Sequence, residues 1–446
     1  MHEAVYPSQP IKKWASKMEY LQDRNLWHVY RELQSAVPIA TDLYNLQRDN
    51  LDRIADDFID LASRDPKGAQ NPYTVWDKSS GRFVPMWEHP DFAVLLHEAE
   101  SRIGNAADAA YYVIGEPSLR KYLELTASGL TKGLYDEIML AHVTCRSAIC
   151  FQFLPVELDK DGKKGWQGYL GVENRERTND LQKEADQIRN ALKTRRRITR
   201  DPYVSVVDLE WMTGRLARKI VSAHNIPNER LLADQAHRIA IFQPAISEQH
   251  DLNVRAMQDF VSQDLIPTLD ETQAYVVVHE LGHEEREEDN KVGVFQSPLR
   301  ESYATHRGLA DSALAWSIRT DPNPFTARVR GALGFAFSDL GENIINGDWS
   351  ENALFDDEYK SGSALFLLEG IRRGGFRFSD GQLIGIDPEK MLRNCNLFAR
   401  QERYILDHGE IMLAETHFIQ ALKYNRMPLR RETQPNRNDE DQLISA

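Results

Sequence analysis

The sequence predicts an α+β protein that is predominantly α-helical, with its strands in the middle third of the chain. Three observations favour this class. Apolar residues recur at helical spacing in the first and last thirds, short β-branched stretches lie between them, and no internal repeat is visible. The length of 446 residues suits two or three domains, or one enzyme-sized body.

The N-terminal region, residues 1–155, is predicted to be helical. Apolar positions between residues 15 and 60 recur about one helical turn apart, which is typical of helices that bury one face. The pattern returns at residues 92–143 and breaks at Gly115-Glu116-Pro117, where glycine and proline favour a turn. The apolar positions with this spacing between residues 15 and 60 include Leu26, Val29, Leu33, Leu43, Leu46, Leu51 and Ile54.

The middle region, residues 156–264, is predicted to be mixed α/β. Compact apolar or β-branched stretches indicate strands, and a polar, glycine-rich segment at 159–168 favours a hairpin turn or linker. Helical spacing indicates a helix at 181–197. The strands are expected at 147–158, 202–212 and 237–246.

The C-terminal half is predicted to be helical again over residues 265–425. Residues 426–446 are polar and interrupted by prolines, so we expect a loose tail. Within the strand before this region, residues 238–242 (RIAIF) have two interpretations. They form either an interior strand or an exposed strand that pairs with an extended peptide.

The charge balance excludes one class of partner. The formal net charge is -14, whereas broad nucleic-acid binding needs a basic surface that replaces phosphate counterions. The basic run at 193–200 is interpreted as the cationic end of a helix, with a local anion contact as the alternative. We therefore expect no nucleic-acid partner.

The location is predicted to be cytoplasmic, without membrane association. No apolar run reaches the 18 residues of a membrane span, and the N-terminus lacks the pattern of a signal peptide. Cys145, Cys150 and Cys395 have no disulfide spacing, which suits a reducing compartment. His142, Cys145 and Cys150 are interpreted as buried structural residues, since a fourth metal ligand is not evident.

The motif H-E-x-x-H occurs at residues 279–283 and predicts a metal site. On a helix, His279 and His283 lie on one face, one turn apart, so both imidazoles can reach a single Zn²⁺. Glu280 lies beside the metal without binding it and can accept a proton from water. The alternative is an acidic surface helix, which the preceding valines Val276 to Val278 disfavour because they indicate burial.

Glu301 is the predicted third ligand. The pattern with a third histidine after H-E-x-x-H is not met, because Arg286 and Asp289 occupy the required glycine and histidine positions. Glu301 lies on a predicted second helix, 297–316, that begins near Pro298. Thr305 is expected to hydrogen-bond a ligand, and Gly308 is expected to let the two helices approach closely.

These residues resemble the gluzincin zinc metallopeptidases. The E-S-Y-A element at 301–304 is similar to the helix that carries their third ligand. A closer resemblance is to the dipeptidyl-peptidase-III family and its bacterial relatives, whose second motif has the form E-E-x-x-A-(E/D). The chain keeps Glu301 and Ala304 but departs at Arg300 and Thr305. The resemblance covers roughly residues 270–420. It implies that the protein is two-lobed and helix-rich, with zinc in a cleft and a zincin-like helical metal-binding region.

The predicted activity is a metal-dependent hydrolase. A metal held by His279, His283 and Glu301 would activate water, and Glu280 would act as the general base and then deliver its proton to the leaving nitrogen. Zinc is expected, with iron or manganese as alternatives. Tyr303 and His306 are the candidate additional catalytic residues, and Tyr404, His408 and His417 are further candidates for a donor to the oxyanion.

The substrate class is left open between two alternatives. The first is a metallopeptidase that cleaves peptide or amide bonds, and the second is a metalloenzyme that uses the same site on a small molecule in specialised metabolism. A third hypothesis, a binding protein with a relic motif, is disfavoured by the intact Glu280. The acidic run from Glu284 to Asp289 is interpreted as a solvated helix end, with attraction of a cationic substrate as the alternative.

Overall fold

The structure, a computed structural model, describes residues 11–55, 57–158, 164–194, 202–218, 221–227, 232, 234–283, 292, 295–316, 321–346, 357–379 and 381–423. Contacts divide the chain into two compact units. Unit 1 comprises Met1–Gln182 with Arg200–Ile246, and unit 2 comprises Lys183–Thr199 with Ser247–Ala446. Every helix among the described residues falls short of the length or apolar character that a membrane crossing needs.

Unit 1 combines helices with a mixed sheet. Amphipathic helices bury Leu33, Leu43, Leu96 and Leu123 in one apolar core. The helices are α1 (Ile11–Asp23), α2 (Trp27–Ala36), α3 (Ile39–Asp52), α4 (Phe58–Arg64), α5 (Pro66–Gln70), α6 (Pro90–Tyr111), α7 (Pro117–Gly129), α8 (Tyr135–Thr144) and the start of α9 (Arg175–Thr194).

A five-stranded sheet lies beside this helical core in unit 1, in the order β3-β4-β5-β7-β6. Strands β5 and β7 are parallel, and the other neighbours are antiparallel. A separate hairpin, β1-β2, was not expected within the helical N-terminal region. The strands are β1 (Thr74–Asp77), β2 (Arg82–Pro85), β3 (Ile149–Leu158), β4 (Lys164–Glu173), β5 (Pro202–Gly214), β6 (Ala223–Ile226) and β7 (His237–Phe242).

The structure corrects one sequence expectation about these strands and decides between two alternatives for another. Strand β4 begins at Lys164, inside the stretch expected to be a turn. The reason is Trp166, which is fully buried as part of the sheet, so that its burial outweighs the turn preference of its neighbours. The remaining turn residues, 159–163, lie outside the described residues. Strand β7, which contains RIAIF, lies between β5 and β6, so the interior-strand alternative holds.

Unit 2 is almost entirely helical, which confirms the expectation for the C-terminal half. One short hairpin interrupts it, β8 (Phe376–Ser379) with β9 (Gln382–Ile386). The helices are the rest of α9, α10 (Gln243–Met257, whose first four residues belong to unit 1), α11 (Leu269–Gly282), α12 (Gln296–Ala315), α13 (Asn323–Asn346), α14 (Glu358–Arg372), α15 (Pro388–His408) and α16 (Ile411–Lys423).

The predominantly helical α+β class is confirmed. The four regions drawn from the sequence remain a prediction, and the two units group the residues differently. Residues 156–182 and 200–246 of the predicted middle region belong to unit 1, whereas residues 183–199 and 247–264 belong to unit 2. The predicted tail lies outside the described residues, as do residues 195–200 of the basic run.

Helices α11 and α12 touch through their backbones. A Cβ on Gly282 would lie 2.2 Å from the carbonyl oxygen of Ala304, and a Cβ on Gly308 would lie 2.2 Å from that of Val278. Both positions therefore accept only glycine without movement of a helix. The expected close approach at Gly308 is confirmed, and Gly282 contributes equally to it.

A buried carboxylate, Glu402, joins three helices of unit 2. It accepts hydrogen bonds from Ser302 and His306 of α12, and His417 of α16 lies 3.5 Å away. Burial raises the pKa of Glu402, but the charge of His306 and the hydrogen bonds from both histidines outweigh it and hold the pKa at about 2. This carboxylate therefore stays ionised in the folded protein.

Replacing either backbone-contact glycine should destabilise unit 2. We expect Gly282→Ala and Gly308→Ala each to lower the free energy of unfolding by about 1–3 kcal/mol, because the added methyl group overpacks the contact. Gly341→Ala on α13 is the control, since nothing lies within 4 Å of its Cβ position, and alanine favours a helix by up to about 1 kcal/mol. Urea unfolding measures all three; equal midpoints would contradict the contact.

Removing the buried carboxylate should destabilise unit 2 in a pH-dependent way. We expect Glu402→Ala to lower the free energy of unfolding by about 3–5 kcal/mol near neutral pH, because the buried His306 and the half-buried His417 lose their partner. The folded pKa lies below the usual 4.5, so the stabilisation exists above that pH and is lost as the pH falls toward about 2.

Urea unfolding across this pH range measures the difference between wild type and Glu402→Ala. The neighbouring exposed residue provides the control, Gln401→Ala, which should change stability by less than about 0.5 kcal/mol. A gap between Glu402→Ala and wild type that stays constant down to pH 2 would show that the ionised carboxylate is not the source of the stabilisation.

Candidate metal centre

A capping box begins helix α11, which carries the H-E-x-x-H residues. Thr268 Oγ1 accepts a hydrogen bond of 3.3 Å from the backbone N–H of Glu271, and Glu271 Oε2 accepts one of 3.0 Å from the backbone N–H of Thr268. Glu271 also pairs with Arg330 of α13. Two otherwise unpaired donors are satisfied, so the helix has a fixed start.

The valine run within α11 is helical against its intrinsic preference. Val276, Val277 and Val278 are all buried, with Val277 and Val278 fully so. Three valines disfavour a helix by at most about 2 kcal/mol in total. Burial of each contributes roughly 1.5–3 kcal/mol, so burial decides the conformation. The helix ends at Gly282, with His283 as its C-cap.

His279, His283 and Glu301 form a compact cluster between α11 and α12. His279 Nε2 lies 3.2 Å from Glu301 Oε2 and 3.1 Å from His283 Nε2, and His283 Nε2 lies 3.5 Å from the same carboxylate oxygen. The antiparallel contact of the two helices produces this arrangement, because it brings Glu301 level with the histidines. The three side chains are 15–16% exposed, which leaves the cluster open to a small ligand.

The donor set fits one tetrahedral metal ion. Ligand atoms that lie 2.0–2.1 Å from a tetrahedral zinc ion are roughly 3.3–3.4 Å from one another. The three separations in the cluster, 3.1, 3.2 and 3.5 Å, bracket that value. Two imidazole lone pairs that face each other at 3.1 Å also repel unless a proton or a cation lies between them. Two nitrogens and one carboxylate oxygen are the ligands that zinc prefers.

The cluster is electrostatically coupled. Burial raises the pKa of Glu301, but the charge of His283 and hydrogen bonds from both histidines outweigh it, so the pKa lies well below its usual range. Burial lowers the pKa of His279, but the hydrogen bond to Glu301 and its charge raise the pKa above the usual 6.5. The two shifts have one cause, because the positive charge of the histidines and the negative charge of Glu301 stabilise each other.

Thr305 and Tyr275 contact the far side of His279. Thr305 Oγ1 lies 3.1 Å from His279 Nδ1, and Tyr275 Oη lies 3.0 Å from Thr305 Oγ1 and 3.5 Å from His279 Nδ1. The contact expected for Thr305 is therefore present. Thr305 is one of the two departures from the family motif, so a neutral hydroxyl stands here in place of a carboxylate.

Glu280 flanks the cluster. It follows His279 directly, so helical geometry turns its side chain by about 100° from His279 and about 60° from His283. The side chain is half-buried, and its charge contributes to the raised pKa of His279. A carboxylate at this place can reach water beside the metal without joining the ligand set.

Tyr303 and His306, the candidate additional catalytic residues, point away from Glu301 on α12. Helical geometry turns Tyr303 by about 160° and His306 by about 140° from Glu301. Tyr303 is buried in the apolar core of unit 2, and His306 is buried against Glu402. Both residues occupy the interior because α12 is surrounded by other helices, and their catalytic role remains a prediction.

The other candidate oxyanion donors make contacts with residues outside the cluster. Tyr404 is half-exposed and stacks on His408, whose Nδ1 lies 2.9 Å from the carbonyl oxygen of Tyr404. His417 belongs to the Glu402 network. Residues 284–289, the acidic run, lie outside the described residues. Within the described part of the chain, no oxyanion donor is therefore identified.

His142, Cys145 and Cys150 are buried in unit 1, as expected. Burial raises the pKa of the Cys145 thiol to about 11 and that of the Cys150 thiol to about 12. Both thiols are therefore protonated near neutral pH in the folded protein. The guanidinium of Arg238 instead lies 3.4 Å from Cys150 Sγ and 3.5 Å from the carbonyl oxygens of His142 and Cys145.

Two neighbours of the cluster were missed by the sequence reasoning. Tyr275 lies one helical turn before His279, so the spacing alone could have identified it. Asp339 of α13 could not be found in this way, since it is 38 residues past Glu301. The pKa of Asp339 is raised to about 6, chiefly by burial and also by the charge of Asp357, although a hydrogen bond from Ser363 opposes the shift.

Comparison with known proteins establishes the fold. No family model matches the chain, and no curated protein matches its sequence. The solved structure of DPP III from Caldithrix abyssi matches with a TM-score of 0.73 at 15% identity, over 92% of this chain and 94% of that chain. Dipeptidyl-peptidase III from Corallococcus sp. strain EGB matches with a TM-score of 0.70 at 15% identity, over 95% and 96% of the two chains.

These matches cover far more of the chain than the stretch of roughly 270–420 that carries the motif resemblance. They include both units, so the likeness is not confined to the helices around the cluster. At 15% identity the likeness concerns the fold. The family resemblance seen in the sequence is confirmed at this level: the chain has the fold of the dipeptidyl-peptidase III structures.

Proposed function

We propose that this protein is a zinc-dependent hydrolase, and more specifically a metallopeptidase. The observation that carries the proposal is the cluster geometry. Three ligand atoms on two adjoining helices have the mutual separations of a tetrahedral zinc site, and the general-base candidate Glu280 stands beside them. A site with three protein ligands leaves a fourth position for water or substrate, which is typical of catalytic zinc.

His279, His283 and Glu301 would hold the ion. When bound, zinc would supply Lewis acidity that makes water a stronger nucleophile and polarises a carbonyl group. Glu280 accepts a proton from the attacking water as the new C–O bond forms at the carbonyl carbon. It then delivers that proton to the nitrogen of the leaving amine as the C–N bond breaks. Its carboxylate therefore ends the cycle unchanged.

Peptides are the proposed substrate class. The supporting observation is the shared fold with two dipeptidyl-peptidase III structures across both units of the chain. Fold alone does not determine a reaction, but here the fold occurs together with a donor set that suits zinc. Among the described residues, no feature favours a small molecule of specialised metabolism over a peptide. We therefore place peptides first.

Two variants separate metal binding from catalysis. Glu280→Gln should bind zinc as the wild type does and lower kcat by about 10²–10⁴-fold, because it removes the base and keeps the ligands. Glu301→Ala should weaken zinc binding by more than about 100-fold, since loss of a direct ligand costs more than loss of an outer hydrogen bond, which costs about 10–100-fold. Zinc content by elemental analysis and cleavage of a short-peptide library by mass spectrometry measure both.

An exposed glutamate of α16 supplies the matched control. Glu415→Gln makes the same change as Glu280→Gln away from the cluster and should leave zinc content and cleavage unchanged. Wild-type protein that binds no divalent metal would overturn the proposal entirely. Zinc-loaded wild type that cleaves no peptide in the library would overturn the metallopeptidase assignment and keep the metal site.

A further inference from the structure

The hydroxyl groups of Thr305 and Tyr275 form a short chain that ends on His279. Thr305 lies one turn after Glu301 on α12, and Tyr275 lies one turn before His279 on α11. Contact between the two helices brings Thr305 Oγ1 within 3.1 Å of His279 Nδ1 and 3.0 Å of Tyr275 Oη. The chain thus spans both helices that supply the cluster.

The hydrogen-bond directions are constrained by the chemistry of the imidazole. A metal at Nε2 needs the Nε2 lone pair, so the single ring proton of neutral His279 must sit on Nδ1. Nδ1–H then donates to Thr305 Oγ1, and the hydroxyl groups of Thr305 and Tyr275 donate one to the other. Thr305 Oγ1 therefore accepts from the ring in the only tautomer that can bind the metal.

Burial makes this arrangement specific. Thr305 and Tyr275 are 8% and 6% exposed, so bulk water does not compete for Nδ1. Tyr275 is held further by packing against Phe335 of α13, at 5.4 Å between ring centroids. A ring nitrogen left without its partner in such surroundings loses a hydrogen bond that water cannot replace.

We propose that Thr305 and Tyr275 are positioning residues, which hold His279 in the Nδ1–H tautomer and aim its Nε2 at the metal through a neutral relay. This inference rests on the proposed metal site and goes beyond it by assigning the groups that orient one ligand. Thr305 is the direct partner of the ring, and Tyr275 orients the Thr305 hydroxyl. Neither residue touches the metal or the substrate.

The test is the zinc dissociation constant, measured by competition with a chromophoric chelator on the full-length protein. Thr305→Val keeps the branched shape and removes the hydroxyl, so zinc binding should weaken about 10–100-fold. Thr305→Ser retains the hydroxyl and should bind zinc within about threefold of wild type, a smaller change than the loss expected for Thr305→Val. Tyr275→Phe removes only the outer group and should have an effect between these two.

Thr272→Val is the matched control. Thr272 is a fully buried threonine of α11, and its hydroxyl contacts His250 and the carbonyl oxygen of Thr268 rather than His279. The same substitution there should leave zinc affinity unchanged. Equal losses in Thr272→Val and Thr305→Val would show a general packing effect and overturn the inference, as would wild-type affinity in Thr305→Val.

A second measurement reports the tautomer directly. Nitrogen-15 labelling of histidine, with long-range proton–nitrogen correlation spectra of the zinc-loaded protein, distinguishes a protonated Nδ1 from a protonated Nε2. The expected result is Nδ1–H at His279 in wild type and in Thr305→Ser. Failure of the metallopeptidase proposal would appear as zinc binding without peptide cleavage, whereas failure of this inference would appear as unchanged affinity in Thr305→Val.

Discussion

The backbone contact between α11 and α12 is the constraint on which the candidate site depends. Gly282 and Gly308 each face a carbonyl oxygen of the opposite helix at a distance that admits no Cβ. Their antiparallel approach brings Glu301 beside the two histidines and Thr305 beside His279. A separation larger by one methyl group would move the carboxylate away from both imidazoles, so the glycine inside H-E-L-G-H has a structural role of its own.

The side chains that surround this contact are determined by which face each helix presents to its neighbours. On α11 the valines are buried, and the two histidines and Glu280 lie at the C-terminal end of the helix. On α12, Glu301 and Thr305 face the cluster, while Ser302 and His306 face Glu402 of α15. One helix thus supplies a metal ligand on one side and a partner for a buried carboxylate on the other.

The parts of the site that were predictable from sequence are those fixed by short spacing. His279, Glu280 and His283 lie within about one turn of a single helix, so the pattern alone brings them together. Glu301 follows on the next helix, and the contact between α11 and α12 brings it beside them. Asp339 and the His306–Glu402 pair depend on packing between elements that are distant in sequence. The start of β4 was missed because burial of Trp166 outweighed local turn preference. The β1-β2 hairpin was missed because its two strands are only four residues long.

We infer that α11 and α12 hold one metal ion between His279, His283 and Glu301. Diffraction from crystals of the zinc-loaded protein, measured on both sides of the zinc absorption edge, locates bound zinc. One strong anomalous peak is expected about 2.0–2.2 Å from His279 Nε2, His283 Nε2 and a carboxylate oxygen of Glu301. A zinc-loaded crystal with no peak there, or with its peak bound by other residues, would overturn the proposed metal site.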